Sequence, residues 1–413
     1  MTSPVYRRAD CRLCAGRDLA TVLPFPPMPV GDAYVAKERL QKPTAVYPMD
    51  LSLCLRCGHA QLRDVVDPKI LYDNFIYQTS ISLGLVDHFR RYAQDVMEYV
   101  KPPTGSLAVD IGSNDGTVLK FFQAEGMRVL GVEPAREIAL KASAAGVETW
   151  PEFFSSEMGR RIKAEHGPAS IVTINNTFAN VDDLDDMLEG VRGLLAPEGV
   201  LVIETGYLFD LALEGLFDNI YHEHLGYFSV KPLQTFLQRH HLELIHVERI
   251  ATKGGSLRAL AQRAGGPRSV STSVERLLTL EKEAGIDRPD IYRALDSRME
   301  SQSQRLRDLL KGLKAQGKTI AGYGASVGTT TFLYRFQLGD LLSFIADDNP
   351  AKHHLFSPGH HVPVLPSESL YTERPDYVVI LAWRYSAPIM EKHQDYLAQG
   401  GRFILPWPEL AVK

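Results

Sequence analysis

The chain alternates short apolar runs with longer segments in which apolar residues recur every three to four positions. Short apolar runs predict buried strands, and a period near 3.6 predicts helices. We predict strands at 107–111, 128–132, 147–150, 170–175 and 199–203, and helices at 117–125, 136–144, 155–165 and 182–194. This alternation predicts a parallel, doubly wound α/β sheet that binds its ligand at the carboxyl ends of the strands.

The pattern continues on both sides of this sheet. An amphipathic helix is predicted at 82–99, a closing hairpin at 243–250 and 256–263, a helical connector at 271–316, and further strands at 318–323, 342–346, 377–381 and 402–405. The last four strands predict a second Rossmann-like sheet. We therefore expect three domains, at 1–66, 67–264 and 265–413.

The composition is that of a globular protein, with 413 residues, 45% hydrophobic and 23% charged. A net charge of −5 without a basic run argues against nucleic-acid binding. No apolar run reaches membrane-spanning length, and no secretory signal is recognisable. We expect a cytoplasmic monomer that acts on a small molecule and binds neither nucleic acid nor membranes.

All four cysteines lie near the start of the chain, in the pairs Cys11–Cys14 and Cys54–Cys57. Two C-x-x-C pairs can present four thiolates in the tetrahedral geometry that zinc prefers. Two disulfides, which the cytoplasm disfavours, and free thiols are the alternatives. His59 could replace one ligand, but four sulfurs already complete the shell. We predict a structural Zn²⁺ site.

The stretch LAVDIGSNDG, followed later by GVEP, has the order expected of an adenosine-binding unit. Asp110 ends the first predicted strand, Gly112 lies in a tight turn, and Glu133 with Pro134 ends the second strand. An acidic residue at that place commonly binds the hydroxyls of a ribose. The full G-x-G-x-x-G of dinucleotide sites is absent. An ordinary strand–turn–helix with a solvated glutamate is the alternative.

At these residues the chain resembles class I S-adenosylmethionine (SAM) methyltransferases. The resemblance implies that Asp110 or Gly112 faces the methionine part of SAM and that Glu133 binds its ribose. Further candidate cofactor residues are Asn114 and Asp115 in the turn, Phe153 after the third strand, and Asn175 and Asn176 after the fourth. Phe153 could pack on the adenine, and the two amides could donate and accept hydrogen bonds.

Asn180 follows the same strand and is a candidate substrate residue. Its side chain could bind the substrate, or it could simply cap the helix that begins after it.

A second polar stretch contains Tyr221, His222, Glu223 and His224. Histidine titrates nearest neutral pH and suits proton abstraction, so this stretch could supply a general base. H-E-x-x-H is not matched, which argues against a catalytic metal. A structural role as helix caps is the alternative.

In the last third of the chain, Gly324 and Ala325 follow a predicted strand. This turn could hold a phosphate at the start of a helix, or it could only reverse the chain. Lys253, in the turn of the predicted hairpin, is a further candidate substrate residue.

The order of C-x-x-C pairs, DIGSNDG with GVEP, YHEH, and GYGA with DDNP-x-K resembles the sugar C-methyltransferases that act on nucleotide-linked keto-deoxysugars. The resemblance covers essentially the whole chain. It implies a zinc-binding domain, a SAM domain and a Rossmann-like domain, with the substrate between the last two. It also implies that His224 is the base, that Tyr221 and Glu223 position the sugar or stabilise an enolate, and that Tyr77 lies near the sulfonium.

One position departs from that family, which tends to carry a histidine where this chain has Asn180. An amide can bind a sugar oxygen but cannot exchange protons, which puts the exact substrate in doubt. His222 joins the candidate substrate residues. O- or N-methylation of another metabolite, a non-catalytic SAM-binding protein, and a nicotinamide-dependent activity of the C-terminal half are the other hypotheses.

Overall fold

A computed structural model of the chain describes residues 4–72, 79–81 and 84–413. The strands are β1 (Val5–Arg7), β2 (Leu19–Leu23), β3 (Leu51–Cys54), β4 (Ala60–Leu62), β5 (Asp64–Val66), β6 (Leu107–Ile111), β7 (Arg128–Val132), β8 (Thr149–Trp150), β9 (Ala169–Asn175), β10 (Leu195–Gly206), β11 (Gly226–Tyr227), β12 (Leu242–Ile250), β13 (Ser256–Arg263), β14 (Ile320–Tyr323), β15 (Ile345–Asp347), β16 (Val364–Pro366), β17 (Tyr377–Ile380), β18 (Arg402–Leu405) and β19 (Ala411–Val412).

The helices are α1 (Pro68–Tyr72), α2 (Leu85–Val100), α3 (Thr117–Ala124), α4 (Arg136–Ala144), α5 (Ser156–His166), α6 (Leu184–Leu194), α7 (Leu208–Asp210), α8 (Val230–Arg239), α9 (Thr272–Ala284), α10 (Pro289–Ala315), α11 (Val327–Phe336), α12 (Ser369–Thr372), α13 (Ser386–Lys392) and α14 (Gln394–Ala398). None of the helices within the described ranges combines the length and the apolar character needed to cross a membrane.

The central seven-stranded sheet has the order β12-β13-β10-β9-β6-β7-β8. The strands from β6 to β10 are parallel, and β13 and β12 add the antiparallel hairpin that the sequence predicts. The chain leaves β6 in one direction to β7 and returns on the other side to β9. Ligands of such sheets bind at this reversal, beyond the carboxyl ends of the strands. The predicted parallel, doubly wound α/β sheet is confirmed.

Helix α2 covers one face of this sheet with a continuous apolar stripe. Phe89, Tyr92 and Val96 are buried against Ala108 and Ile171 of the strands. Burial of side chains of this size contributes about 1.5–3 kcal/mol each to folding. This packing fixes the chain just before β6 and the turn that follows β6.

The C-terminal part forms a six-stranded sheet with the order β16-β15-β14-β17-β18-β19. The four predicted strands are present, and they run parallel to one another. The sequence did not predict β16 and β19, because two or three residues, one of them Pro366, are too few to show a period. The second Rossmann-like sheet is confirmed.

A four-stranded sheet with the order β11-β4-β3-β2 carries the cysteines. Its fourth strand, β11, comes from more than 160 residues further along the chain and pairs with β4 through Gly226–Gln61 and Tyr227–Ala60. This strand begins one residue after the YHEH stretch. The N-terminal sheet therefore holds one end of a candidate catalytic segment.

Candidate active site

A cavity of about 1820 Å³ opens between the carboxyl edges of the seven-stranded and six-stranded sheets. Pockets for a single small ligand usually measure about 300–1,000 Å³. This cavity therefore has room for a cofactor and a substrate side by side. The cavity has two ends. The first end is lined by the seven-stranded sheet at the turn after β6, and the second end by the six-stranded sheet at the turn after β14.

The first end lies at the turn after β6. Asp110 is 1% exposed, and the Thr173 hydroxyl donates a hydrogen bond of 2.6 Å to its carboxylate. Burial raises the pKa of Asp110 to about 7. Gly112 has φ of +75°, and a Cβ there would lie 2.1 Å from the Thr177 hydroxyl oxygen. Both its conformation and its surroundings require glycine at this turn.

Glu133 lies at the carboxyl end of β7, beside Pro134, and both line the cavity. Its carboxylate accepts the N–H of Asn114 at 2.9 Å and the N–H of Ala135 at 2.8 Å. Burial raises the pKa of this carboxyl group. A carboxylate has about four acceptor positions, so two remain for the hydroxyls of a ribose.

Asn114 and Asp115, the two polar residues in the turn that were predicted to bind the cofactor, make hydrogen bonds to the main chain instead. The Asn114 side chain lines the cavity, but its Oδ1 accepts the N–H of Thr79 at 2.9 Å. The Asp115 carboxylate accepts the N–H of Ser80 at 2.8 Å and does not line the cavity. Both side chains therefore hold residues 79–81 against the turn. Tyr77, a predicted catalytic residue, lies outside the described residues.

The amides after β9 complete this end. Asn175 is 8% exposed and lines the cavity, and neither atom of its amide has a hydrogen-bond partner among the described residues. Asn176 lines the cavity with φ of +54°. Phe153 lies at the rim and is 59% exposed. An acidic pair, an unsatisfied amide and an aromatic ring fit the adenosine and methionine parts of SAM.

Between the two ends, the cavity is lined by a hydrogen-bonded tyrosine–histidine pair. His224 Nδ1 lies 3.0 Å from the Asn219 carbonyl oxygen, which can only accept, so Nδ1 carries the proton. The Tyr221 hydroxyl lies 2.8 Å from Nε2 and therefore donates to it. Burial, with the positive charge of Lys253 as a further cause, lowers the pKa of His224 to about 4. The imidazole is thus neutral, and its Nε2 lone pair accepts the Tyr221 hydroxyl.

His222 and Glu223, which lie between Tyr221 and His224 in the sequence, face opposite directions. Glu223 is 6% exposed and lines the cavity, and burial raises its pKa to about 7, with Asp32 as a weaker cause. Its Oε2 has no hydrogen-bond partner in the described ranges. His222 does not line the cavity, because its Nε2 donates to the Tyr47 carbonyl at 3.3 Å and its ring packs edge-on against Tyr47. The structure places this predicted substrate residue against the N-terminal loop.

The other predicted substrate residues, which are Asn180, Lys253, Gly324 and Ala325, all line the cavity. Gly324 has φ of +103°, and a Cβ there would lie 2.5 Å from that of Ala382. The Ala325 N–H donates to Asp347 at 2.5 Å. The turn after β14 is therefore held from β15, much as the turn after β6 is held from β7.

The four cysteines meet at one point of the N-terminal sheet. Their sulfur atoms lie within 4.8 Å of one another, with Cys11 and Cys57 at 3.6 Å and Cys14 and Cys54 at 3.6 Å. Four sulfurs about 2.3 Å from a zinc ion would lie about 3.8 Å apart, so the cluster fits Zn²⁺. His59 is outside the cluster and packs against Phe228. Four sulfurs leave no open position, which makes the site structural.

Comparison with known proteins shows which family the chain belongs to. Family models match residues 11–72 ("Putative zinc binding domain"), 86–247 ("Methyltransferase domain") and 251–408 ("C-methyltransferase C-terminal domain"). C-methyltransferase NovU from Streptomyces niveus is 34% identical over 404 residues, which are 98% of this chain and 96% of that protein. The chain belongs to the SAM-dependent C-methyltransferases.

Two solved structures match about half of this C-methyltransferase. The CcbJ methyltransferase from Streptomyces caelestis is 15% identical, with 47% of this chain and 95% of that chain covered and a TM-score of 0.36. Protein PH0226 from Pyrococcus horikoshii OT3 is 14% identical, with 46% and 97% covered and a TM-score of 0.37. At these values neither adds to the assignment.

Several charged residues line the second end of the cavity in this C-methyltransferase but were not predicted from its sequence. Lys352 is 7% exposed, and its ammonium donates to Asp32 and to the Ala325 carbonyl, each at 2.6 Å. Arg384 donates to Asp218 at 2.9 Å. The DDNP-x-K stretch contains Lys352, and its place after a strand, like that of GVEP, was the available signal.

Proposed function

We propose that this enzyme methylates the carbon next to the ketone of a nucleotide-linked keto-deoxysugar, through an enolate, with His224 as the base. The observation that carries the proposal is the neutral imidazole in the cavity between the two sheets. Transfer to carbon requires removal of a C–H proton, whereas an amine or hydroxyl can attack without a strong carbon base. SAM supplies the methyl group.

The proton step uses the tautomer that the hydrogen bonds define. The Asn219 carbonyl holds the proton on His224 Nδ1, so Nε2 takes the substrate proton. The C–H bond breaks, an N–H bond forms, and the electron pair moves onto the ketone oxygen. The Tyr221 hydroxyl, which donates to Nε2, must turn away and can then donate to a substrate oxygen.

The enolate oxygen needs a hydrogen-bond donor in a dry environment. Glu223 can provide one, since its pKa of about 7 keeps a substantial protonated fraction at neutral pH. Its buried Oε2 has no hydrogen-bond partner within the described residues. A protonated carboxyl group donates, as an ionised one cannot. We therefore assign Glu223 to the enolate oxygen.

The charges at the second end support a nucleotide-linked substrate. Lys352, Arg384 and Lys392 line the cavity there, each paired with a carboxylate, next to the turn at Gly324 and Ala325. This turn leads into α11, a helix of ten residues whose first N–H groups favour an anion. A diphosphate matches these cations, and Asn180 would bind an oxygen of the sugar.

Three wider proposals go with this substrate. We place the domain boundaries after residues 66 and 264, between the sheets described above. We also place the enzyme in deoxysugar biosynthesis in the cytoplasm, where nucleotide-linked sugars are made.

The test is deuterium wash-in. The protein is incubated in heavy water with a panel of nucleotide-linked 4-keto-6-deoxysugars, with and without SAM, and the substrate mass is followed. We expect deuterium at the α carbon and a methyl gain when SAM is present. A methyl gain with the α proton retained would indicate O- or N-transfer, and would contradict the proposal. Tight SAM binding without change in any sugar would point to another keto substrate.

A further inference from the structure

Arg12 lies inside the zinc-binding knuckle, between Cys11 and Cys14. Its side chain is 0% exposed, although arginine is seldom fully buried without partners. Its backbone N–H donates to the Gln61 side chain at 2.9 Å. Both the main chain and the guanidinium of Arg12 are therefore engaged inside the protein.

The first target of the guanidinium is the segment that carries the proposed base. Nη1 donates to the Leu62 carbonyl at 2.5 Å and to the Leu225 carbonyl at 3.3 Å. Leu225 directly follows His224, and its N–H donates to the Ala179 carbonyl at 2.7 Å. The Leu62 N–H of β4 also donates to the Leu225 carbonyl, at 3.0 Å, so this arginine nitrogen adds a second link between the zinc-binding sheet and the end of the Tyr221–His224 stretch.

The second target is the loop after β9. Arg12 Nε and Nη2 each lie 2.9 Å from the same carboxylate oxygen of Asp182. Asp182 lines the cavity two residues after Asn180. The guanidinium therefore contacts both polypeptide segments that line the middle of the cavity.

We propose that Arg12 is a positioning residue, which fixes the Tyr221–His224 stretch against the cavity by linking it to the zinc-binding knuckle. The inference rests on the proposed role of His224 for its effect on catalysis, but not for its effect on the structure. A general base works only within hydrogen-bond reach of the proton it removes, so a shift of about 1 Å in this stretch would slow the reaction severely.

The chemistry of the guanidinium explains why arginine stands here. Its five donors in a planar fork can serve two carbonyls and a carboxylate at once. A lysine ammonium is more compact and would reach the carboxylate at the expense of the carbonyls. A methionine would fill the volume but would remove one donor from the buried Leu62 carbonyl and one from the Leu225 carbonyl, and loss of a buried hydrogen bond is costly. The Leu225 carbonyl would keep only the Leu62 N–H, at 3.0 Å.

The experiment is hydrogen–deuterium exchange measured by mass spectrometry on the SAM-bound full chain, for wild type, Arg12→Met and Arg12→Lys. Arg8→Met is the matched control, because Arg8 also contacts Asp182, at 3.1 Å, without contacting Leu225. Zinc content and the SAM dissociation constant are measured for each protein. No sugar is needed, so failure of this inference and failure of the proposed substrate are distinguishable.

We expect peptides covering 219–227 to exchange at least tenfold faster in Arg12→Met, and to a smaller degree in Arg12→Lys. Peptides covering 107–132, the zinc content and the SAM affinity should stay within twofold of wild type, as should all peptides of Arg8→Met. Unchanged protection at 219–227 would overturn the inference. Loss of zinc or of protection throughout the chain in both Arg12 variants would also overturn it, because Arg12 would then serve the whole fold.

With a sugar that the wild type methylates, the same variants give a catalytic readout. We expect kcat to fall about thirtyfold in Arg12→Met while KM for SAM changes by less than twofold. A rise in KM for SAM with kcat unchanged would contradict a role at the base.

Discussion

The seven-stranded and six-stranded sheets meet at the cavity with the same arrangement of a carboxylate behind a turn. Glu133 accepts the N–H of Asn114 in the first turn and that of the residue two positions after itself. Asp347 accepts the N–H of Ala325 in the second turn and, again, that of the residue two positions later. In both sheets, the carboxylate lies at the carboxyl end of the strand beside the one that enters the turn.

The two ends differ in the charges around this shared arrangement. Asp110 and Glu133 line the first end, and within the described residues the lysines and arginines that line the cavity come from 249–253 and from the C-terminal part. An acidic end suits the positively charged sulfonium of SAM. The second end carries lysines and arginines paired with carboxylates, and these cations are the groups there that a diphosphate would contact. The backbone scaffold is common to both ends, and the surrounding side chains distinguish their ligands.

The largest effect on the methylation rate should come from a substitution in the Tyr221–His224 stretch, which lies between the two ends of the cavity. We expect His224→Asn to lower the methylation rate about a thousandfold, because a general base contributes about 10²–10⁴. SAM should still bind with unchanged affinity in calorimetry. His241→Asn is the matched control, since His241 is exposed and its φ of +55° suits asparagine. Turnover retained in His224→Asn would exclude it as the base.

The next largest effects distinguish the roles of Glu133 and Asp347, the carboxylates behind the two turns. Glu133→Gln should weaken SAM binding by about ten- to a hundredfold, since hydrogen bonds to a charged group contribute about 1.5–3 kcal/mol. Asp347→Asn should leave SAM binding within twofold and raise the KM for the sugar nucleotide. Calorimetry with SAM and steady-state kinetics with the sugar measure the two effects. A loss of SAM affinity in both variants would show that the two ends are not separate sites.

A pH profile sharpens the assignment of the middle of the cavity. The raised pKa of Glu223 means that its protonated form predominates below about 7 and is lost as the pH rises. The lowered pKa of His224 keeps the base neutral down to about pH 4. We expect kcat to be level from about pH 5 to 7 and then to fall about tenfold for each pH unit.

Glu223→Gln is the matched variant, because glutamine keeps a donor that does not titrate. Its kcat should lack the alkaline limb. A wild-type rate that instead rises through pH 7 would show that Glu223 acts in its ionised form.

The residues near the site show how far the sequence could predict it. Apolar periodicity located β6, β7 and α4 with their observed bounds, because burial of local runs is encoded locally. The opposite directions of His222 and Glu223 could not be predicted, because His222 is turned by the Tyr47 carbonyl, which is distant in the chain. Pairing of β11 with β4 also depends on the assembled fold, since two residues carry no period.

The smallest effect we predict concerns the rim of the SAM end. Phe153 is 59% exposed, so an adenine stacked on it would stay partly in water. A full aromatic stack contributes about 0.5–1.5 kcal/mol, and we therefore expect Phe153→Leu to weaken SAM binding only about threefold. Leu140→Ala, an exposed residue that does not line the cavity, is the control for general surface effects. A loss of SAM affinity of tenfold or more in Phe153→Leu would mean that the ring closes over the adenine when SAM binds. The acidic end of the cavity would then be less open to water than the second end.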